Sequence, residues 1–291
     1  MDKAQVKFIP SAYPTLRKYV KGYYIHKGEN ADFHSFVTFY QNITTCLSIY
    51  KDAKLEGEGR RRKMIADKDA GFMVLLTGKV DKYQEVEFKG PLDRFAIVFY
   101  PLGLNHFMQE PLGKHLKLHY TRSEYFEKDL KDLLPQLFEA KELSQKRDLF
   151  DDFLLKRLRD FPEKRLLEAF HHIMAAEELP KIQEIAEKLQ LSRRTLLRMF
   201  QKHLAYSPEE YLSVIRFRKA LLNYQKQTDT PRLTEIAYES QYYDQADFNK
   251  KVKFRSGLSP KQLFSHLEIV DDVLFWNRYP FEVLSQLYNE S

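Results

Sequence analysis

The chain has 291 residues, enough for two domains with cores of their own, and carries 47 basic against 41 acidic side chains. A single cysteine, Cys46, excludes an intrachain disulfide framework. No apolar run approaches the roughly 18 to 20 residues of a membrane span, and the first residues, MDKAQVKFIPSAYP, lack the hydrophobic stretch of a secretory leader. A soluble cytoplasmic protein is expected, with no membrane partner.

Residues 1–121 read as strands. YVKGYYIH, FVTFY, TTCLSIYKD, FMVLLTG, YQEVEFKG and RFAIVFY are short, aromatic and β-branched, and the turn-prone pieces KGEN, EGEG and KGPLD separate them. YQEVEF alternates, as a strand with one wet face does. FAIVFY is continuously apolar, as a strand covered on both faces is. Six or more short strands in this length favour a small barrel or a sandwich. Cys46 stands in an alternating strand with Leu47 on the opposite face, which makes it a packed thiol. Arg60, Arg61, Arg62 and Lys63 are expected in a glycine-flanked, solvated loop, with a phosphate contact as the alternative.

Residues 122–161 turn helical. Phe126, Leu130, Leu133, Leu134, Leu137 and Phe138 form one apolar face, with Pro135 as a candidate kink. Leu149, Phe150, Phe153, Leu154, Leu158 and Phe161 form another, so a helical hairpin turning near KELSQK is expected. Pro162 ends it and marks a linker.

Residues 163–268 follow a different pattern. After a lead helix, LLEAFHHIMAAEE, the stretch IQEIAEKLQLSRRTLLRMFQKHL holds Ile182, Ile185, Ala186 and Leu189 at helical spacing. Ser192 is placed to cap a second helix with Leu196, Met199 and Phe200 inward. LTEIAYESQYYDQADFNKKVKF repeats the arrangement. A short helix from Thr234 holds Ile236 and Ala237, and Asp244 caps a following helix with Phe248, Val252 and the stem of Lys251 inward. SPEEYLSVIRFRKALLNYQK joins the two units as a rod of about 30 Å, close to one turn of B-DNA at about 34 Å. Ser207, Pro208, Glu209 and Glu210 suit its N-terminus. Between Pro180 and Glu268 there are 16 basic and 10 acidic residues, while the remainder carries 31 of each. The whole net charge of +6 therefore lies on this segment, where a phosphate-binding surface requires it. The extension 269–291 is expected to dock on something through Phe275, Trp276 and Phe281.

EIAEKLQLSRRTLLRMFQKHLAYSPEEYL, IRFRKALL and EIAYESQYYDQADFNKKVKFRSGLSPKQL closely resemble the DNA-binding domain of AraC-type (arabinose-regulator) transcription factors over about 90 residues. The resemblance implies an α+β chain. A mostly-β, cupin-like barrel comes first as sensor domain (1–121), then the helical hairpin as dimer interface or as packing for its own barrel (122–161). An all-α double helix-turn-helix domain follows (163–268). RFAIVFYPLGLNHFM is similar to one N-terminal subgroup of that family. The family usually has glycine where this chain has Ala205 and Gln241, and a non-glycine residue there costs about 1 kcal/mol.

The resemblance implies double-stranded DNA as partner, a small effector in the β domain, RNA polymerase if the protein activates, and a homodimer. On the first recognition helix Arg194, Leu197 and Arg198 match base-reading positions, and Arg193, Thr195 and Gln201 share the outer face. On the second, Gln245, Ala246, Asn249 and Lys250 match, while Lys253 suits phosphate. Arginine pairs bidentately with guanine, and glutamine or asparagine with adenine.

Catalytic readings fare worse. There is no glycine-rich phosphate loop and no Gly-x-Ser-x-Gly elbow. His115 and His119 are four apart but lack a carboxylate at metal-site spacing. His34 and His106 read as satisfied polar residues or effector contacts. A cupin-like metalloenzyme with a vestigial helical half, and an interaction module that has lost DNA reading, remain as alternatives. No cofactor is expected.

Overall fold

The computed structural model describes residues 5–226, 232–270 and 274–277. Ten strands come first: β1 (Gln5–Ile9), β2 (Val20–Gly28), β3 (His34–Tyr40), β4 (Thr45–Lys51), β5 (Ala53–Glu56), β6 (Arg61–Ala66), β7 (Phe72–Thr77), β8 (Tyr83–Lys89), β9 (Leu92–Phe99) and β10 (Thr121–Arg122). Ten helices follow, α1 (Glu124–Leu130), α2 (Leu134–Glu139), α3 (Leu143–Leu155), α4 (Lys164–Ala175), α5 (Ile182–Lys188), α6 (Arg193–Leu204), α7 (Pro208–Lys226), α8 (Leu233–Glu239), α9 (Gln245–Ser256) and α10 (Pro260–Phe264), then β11 (Glu268–Val270) and β12 (Leu274–Asn277). The chain is α+β, as its sequence pattern requires. The strands form two six-stranded sheets, β1-β2-β9-β4-β7-β10 and β11-β12-β3-β8-β6-β5, rather than a closed barrel.

The described chain divides into two compact units. The first comprises residues up to Phe36, Thr44–Lys79 and Val86–Pro162, and the second Val37–Ile43, Val80–Glu85 and the chain from Glu163.

In the first unit β9 is the central strand, paired to β2 and β4; of the continuous apolar run FAIVFY, Phe95 to Phe99 are covered on both faces, while Tyr100 lies beyond the strand and is exposed. One face of its sheet carries Tyr23, Ile25, Leu47, Ile49, Phe95 and Ile97. Phe150 of α3 packs there, 6.2 Å from Tyr23 and 5.8 Å from Phe95. Asp151, fully buried beside it, accepts hydrogen bonds from the Tyr23 hydroxyl, from Ser11 Oγ at 2.8 Å and from the Ala12 amide at 2.8 Å. Burial and that carboxylate together push the Tyr23 hydroxyl far above its usual pKa, so it stays a donor. Of the apolar stripe of α3, Phe150 and Leu154 are buried, and Leu149 and Phe153 are half-buried.

Several local expectations change. The helix after 122 breaks before Leu134, where Pro135 sits in the first turn of α2 instead of kinking one long helix. Leu158 and Phe161 lie beyond the end of α3. Arg61, Arg62 and Lys63 belong to strand β6, because Gly57 and Gly59, with φ of +85° and +59°, complete the turn before them. His115 follows a 3₁₀ turn, Leu112–Lys114, and pairs with Glu110 at 2.9 Å, while His119 takes a left-handed φ of 64°. Among the described residues no group of three or more His, Cys, Asp and Glu is placed to hold a metal ion. His34 pairs with Glu87 at 2.9 Å, and buried His106 meets the Arg159 carbonyl at 3.1 Å.

The core of the second unit is built on Phe217, Leu221, Ile236, Phe248, Val252, Leu263 and Phe264, and Tyr40 and Tyr83 are part of it. Three polar ties accompany these aromatics. The Tyr211 hydroxyl donates to the Ile43 carbonyl at 2.9 Å, Gln41 Nε2 donates to the carbonyls of Val80 and Asp81, and Arg255 donates to Gln41 Oε1. The C-terminal extension docks through its backbone, with Trp276 and Asn277 of β12 registered against Phe39 and Thr38. Phe281 lies outside the described residues.

Candidate nucleic-acid interface

Two helix-turn-helix motifs, α5 with α6 and α8 with α9, are built by the same local chemistry. Ser192 Oγ accepts from the Thr195 amide at 3.1 Å, and Asp244 Oδ1 from the Asp247 amide at 2.7 Å, so both second helices start at the capping residues that the sequence marks. Leu196 and Phe200 in α6, and Phe248 and Val252 in α9, are completely buried. The inward partner on the next turn of α9 is Arg255, not Lys251. Arg255 is 8% exposed and bonds Ser213 Oγ at 3.1 Å as well as Gln41, whereas Lys251 is exposed and pairs with Asp247 at 2.9 Å.

The turns themselves match. The Gln190 amide donates to the Glu187 carbonyl at 3.0 Å and the Leu191 amide to Ala186 at 2.9 Å. The Gln241 amide donates to Tyr238 at 2.9 Å and the Tyr242 amide to Ala237 at 3.0 Å. Both glutamines are left-handed, with φ of 53° and 62°, and Ala205, which ends α6, has φ of 62°. The absence of glycine therefore leaves the turn geometry intact and adds backbone strain. Ala205→Gly is expected to stabilise the protein by about 1 kcal/mol, about 2–4 °C in Tm. An unchanged or lower melting temperature would show that Ala205 is not strained.

The outer faces hold the residues proposed from the sequence. On α6, Arg193, Arg194, Arg198 and Gln201 are exposed, and Thr195 and Leu197 are half-buried. Thr195 Oγ1 is engaged by Ser192 Oγ at 2.9 Å, so it serves the cap first. On α9, Gln245, Ala246, Lys250 and Lys253 are exposed and Asn249 is half-buried. Gln245 Oε1 accepts from Thr234 Oγ1 at 2.8 Å, which orients its amide across the motif. The cations divide sharply. Lys202 pairs with Glu163 at 3.3 Å and Lys251 with Asp247, while Arg193, Arg194, Arg198, Lys250 and Lys253 make no ion pair among the described residues. Each of the two capped helices thus presents exposed cations that no carboxylate among the described residues neutralises, as an anion-seeking helix face requires. Sequence reasoning passed over Tyr243, 92% exposed and one residue before the α9 cap, where a hydroxyl can donate to phosphate. Its position next to Asp244 was the available signal.

His203 lies on the inner side of α6, 4% exposed. Burial first, then Lys202, hold its pKa below the ordinary 6.5, against the opposing pull of Glu163 at 3.4 Å. The folded state binds this proton less readily than the unfolded chain. Its share of stability is therefore full above that ordinary value and is lost as pH falls through the lowered one. Melting curves from about pH 7.5 down to about pH 5 should show a fall in Tm that His203→Gln reduces. An identical fall in both proteins would assign it to other groups.

Residues 185–266 match the family model of a helix-turn-helix domain. This segment is a helix-turn-helix domain. It runs from the second half of α5 through α10, across both helix pairs just described. A comparison with curated proteins returned no match. Among solved structures, ToxT from Vibrio cholerae is 13% identical, with 84% of this chain and 97% of that chain covered and a TM-score of 0.44. ToxT with bound unsaturated fatty acid is 13% identical, covering 91% and 97%, at 0.42. A Chromobacterium violaceum transcriptional regulator with an AraC-type DNA-binding domain is 23% identical, covering 36% of this chain and 92% of that one, at 0.32. No helix among the described residues is long and apolar enough to cross a membrane.

Proposed function

We propose that the protein is a sequence-specific, bacterial transcription regulator that reads two successive major-groove segments of one DNA duplex through the outer faces of α6 and α9. The observation that carries this reading is the set of unpaired cations on both helices, Arg193, Arg194, Arg198, Lys250 and Lys253, beside neighbours that are internally paired. The 19 residues of α7 make a rod of about 28 Å, which suits two helices spaced by about one turn of B-DNA. Arg194, Leu197 and Arg198 read bases from α6, and Gln245, Ala246 and Asn249 from α9. Lys250 and Lys253 hold phosphate, and Arg193, Thr195 and Gln201 border the contact. RNA polymerase is the further partner of an activator, and a homodimer fits paired half-sites. The protein is read as a regulator in the cytoplasm, without enzymatic activity.

A small effector in the β unit is the finer part of this reading. On the sheet face opposite α3, Tyr24, His26, Ser48, Tyr50 and Arg94 lie side by side by register, all buried. Arg94 donates to Ser48 Oγ at 2.7 Å and lies 4.9 Å over the Tyr24 ring and 5.4 Å over Tyr50. The buried Tyr50 hydroxyl has no hydrogen-bond partner among the described residues. A cation flanked by phenols suits a small anionic effector.

Selection of bound duplexes from a random DNA pool, with and without cell metabolites, tests the whole. A consensus of two short blocks about one helical turn apart supports the reading, and a metabolite-dependent shift supports the effector. With two to five phosphates neutralised, log K should fall against log salt with a slope between about −2 and −4.5. No enrichment, or salt-independent binding, would overturn it.

A further inference from the structure

Gln190 and Gln241 occupy the same left-handed position in the two turns, yet their side chains do different things. Gln190 is exposed, and no side-chain hydrogen bond among the described residues engages it. Gln241 is half-buried and bidentate. Its Oε1 accepts from the Leu179 amide at 2.8 Å, and its Nε2 donates to the Glu177 carbonyl. The same Glu177 carbonyl also accepts from Lys219 Nζ of α7 at 3.2 Å. Glu177 to Leu179 lies between α4 and α5, directly ahead of the first motif. The turn of the second motif therefore grips the entry to the first.

The chemistry is particular to a primary amide. A carbonyl and an amide two residues apart on one backbone ask for a donor and an acceptor on one planar group. Glutamine supplies both. Glutamate has no donor, and glycine has neither group. Left-handed glutamine costs stability at both turns, and only at 241 does a side chain return something for it.

We propose that Gln241 is a positioning residue that fixes the two helix-turn-helix motifs relative to one another, and so sets which spacing of two DNA half-sites the protein accepts. The spacing part rests on the two-groove reading above. Gln241→Gly separates positioning from folding. It relieves the strained φ while deleting the grip, two opposing effects of similar size, so its melting temperature stays close to the parent's as motif placement loosens. Gln241→Glu keeps the size and loses the donor. Gln190→Gly relieves the same strain and touches no grip.

The test uses the full chain with Cys46→Ser and two added spin labels, at exposed Glu187 on α5 and exposed Glu239 on α8. In Gln241→Gly and Gln241→Glu the inter-label distance distribution is expected to broaden, and in Gln190→Gly to stay as in the parent. Unchanged distributions in both Gln241 variants would overturn the positioning role. On duplexes bearing the consensus from the random pool, with the two blocks moved one base pair closer or further apart, the parent's preference for the native spacing should shrink by about tenfold in Gln241→Gly, the order expected of two neutral hydrogen bonds. A preference retained in full would sink the link to spacing. A parent with no spacing preference would instead overturn the two-groove reading, and the label distances would still decide the role of Gln241.

Discussion

Arg194→Ala or Arg198→Ala is expected to weaken binding to the selected consensus by about 1–3 kcal/mol, roughly fivefold to two-hundredfold, and to relax base preference at one or two positions only. Both guanidinium groups are solvent-exposed on α6 and free of ion pairs, so removing either costs the fold little. Lys253→Ala serves as the contrast. Its loss should weaken all sequences about equally and reduce the salt slope by about one. Competition binding against single-base variants of the consensus distinguishes the two patterns. Uniform loss for Arg194→Ala would make it a phosphate contact and leave base reading to Leu197 and Arg198.

Tyr40→Ala is expected to destabilise the helical unit by about 3 kcal/mol, although Tyr40 lies more than 120 residues ahead of its first helix. Tyr40 is 5% exposed, and its ring stands 6.5 Å from Phe217 of α7 in a core shared with Phe248 and Phe264. Hydrogen exchange read on α7 and α9 reports this directly. Protection lost only in β3, with α7 and α9 unaffected, would remove Tyr40 from that core. By the same physics, an excised fragment 163–268 lacks Tyr40, Tyr83 and Gln41. It exposes the apolar surface those two aromatics cover and takes the Gln41 acceptor from Arg255. Such a fragment should melt well below the helical unit of the intact chain while keeping salt-dependent DNA binding at low temperature.

What the sequence makes legible is what local chemistry decides. Ser192 and Asp244 announce their helices because a cap needs only three neighbouring residues. Leu196, Met199 and Phe200 follow from helical period alone. The outward cations follow from the same period, although their freedom from ion pairs depends on where Glu163 and Asp247 happen to point. Non-local choices are silent. Arg255 looks like a surface cation until Gln41 is beside it, and Lys251 looks like a stem for the core until Asp247 draws it outward. Strand alternation predicts strands but not the order in which they pair, so two open sheets and a closed barrel share one pattern. Gln241 reads from sequence as a cost, because the return comes from the Glu177 carbonyl and the Leu179 amide, 64 and 62 positions earlier.

The tie between Gln41 and Arg255 spans 214 positions. At about 5–20 residues per second, a ribosome that has made Gln41 needs about ten to forty seconds to make its partner. Tyr40 must wait almost as long for Phe217, with its ring still in water. The aromatic surface of this early segment is then the place where a newborn chain is most open to aggregation or chaperone capture, and slowing translation should lengthen that exposure.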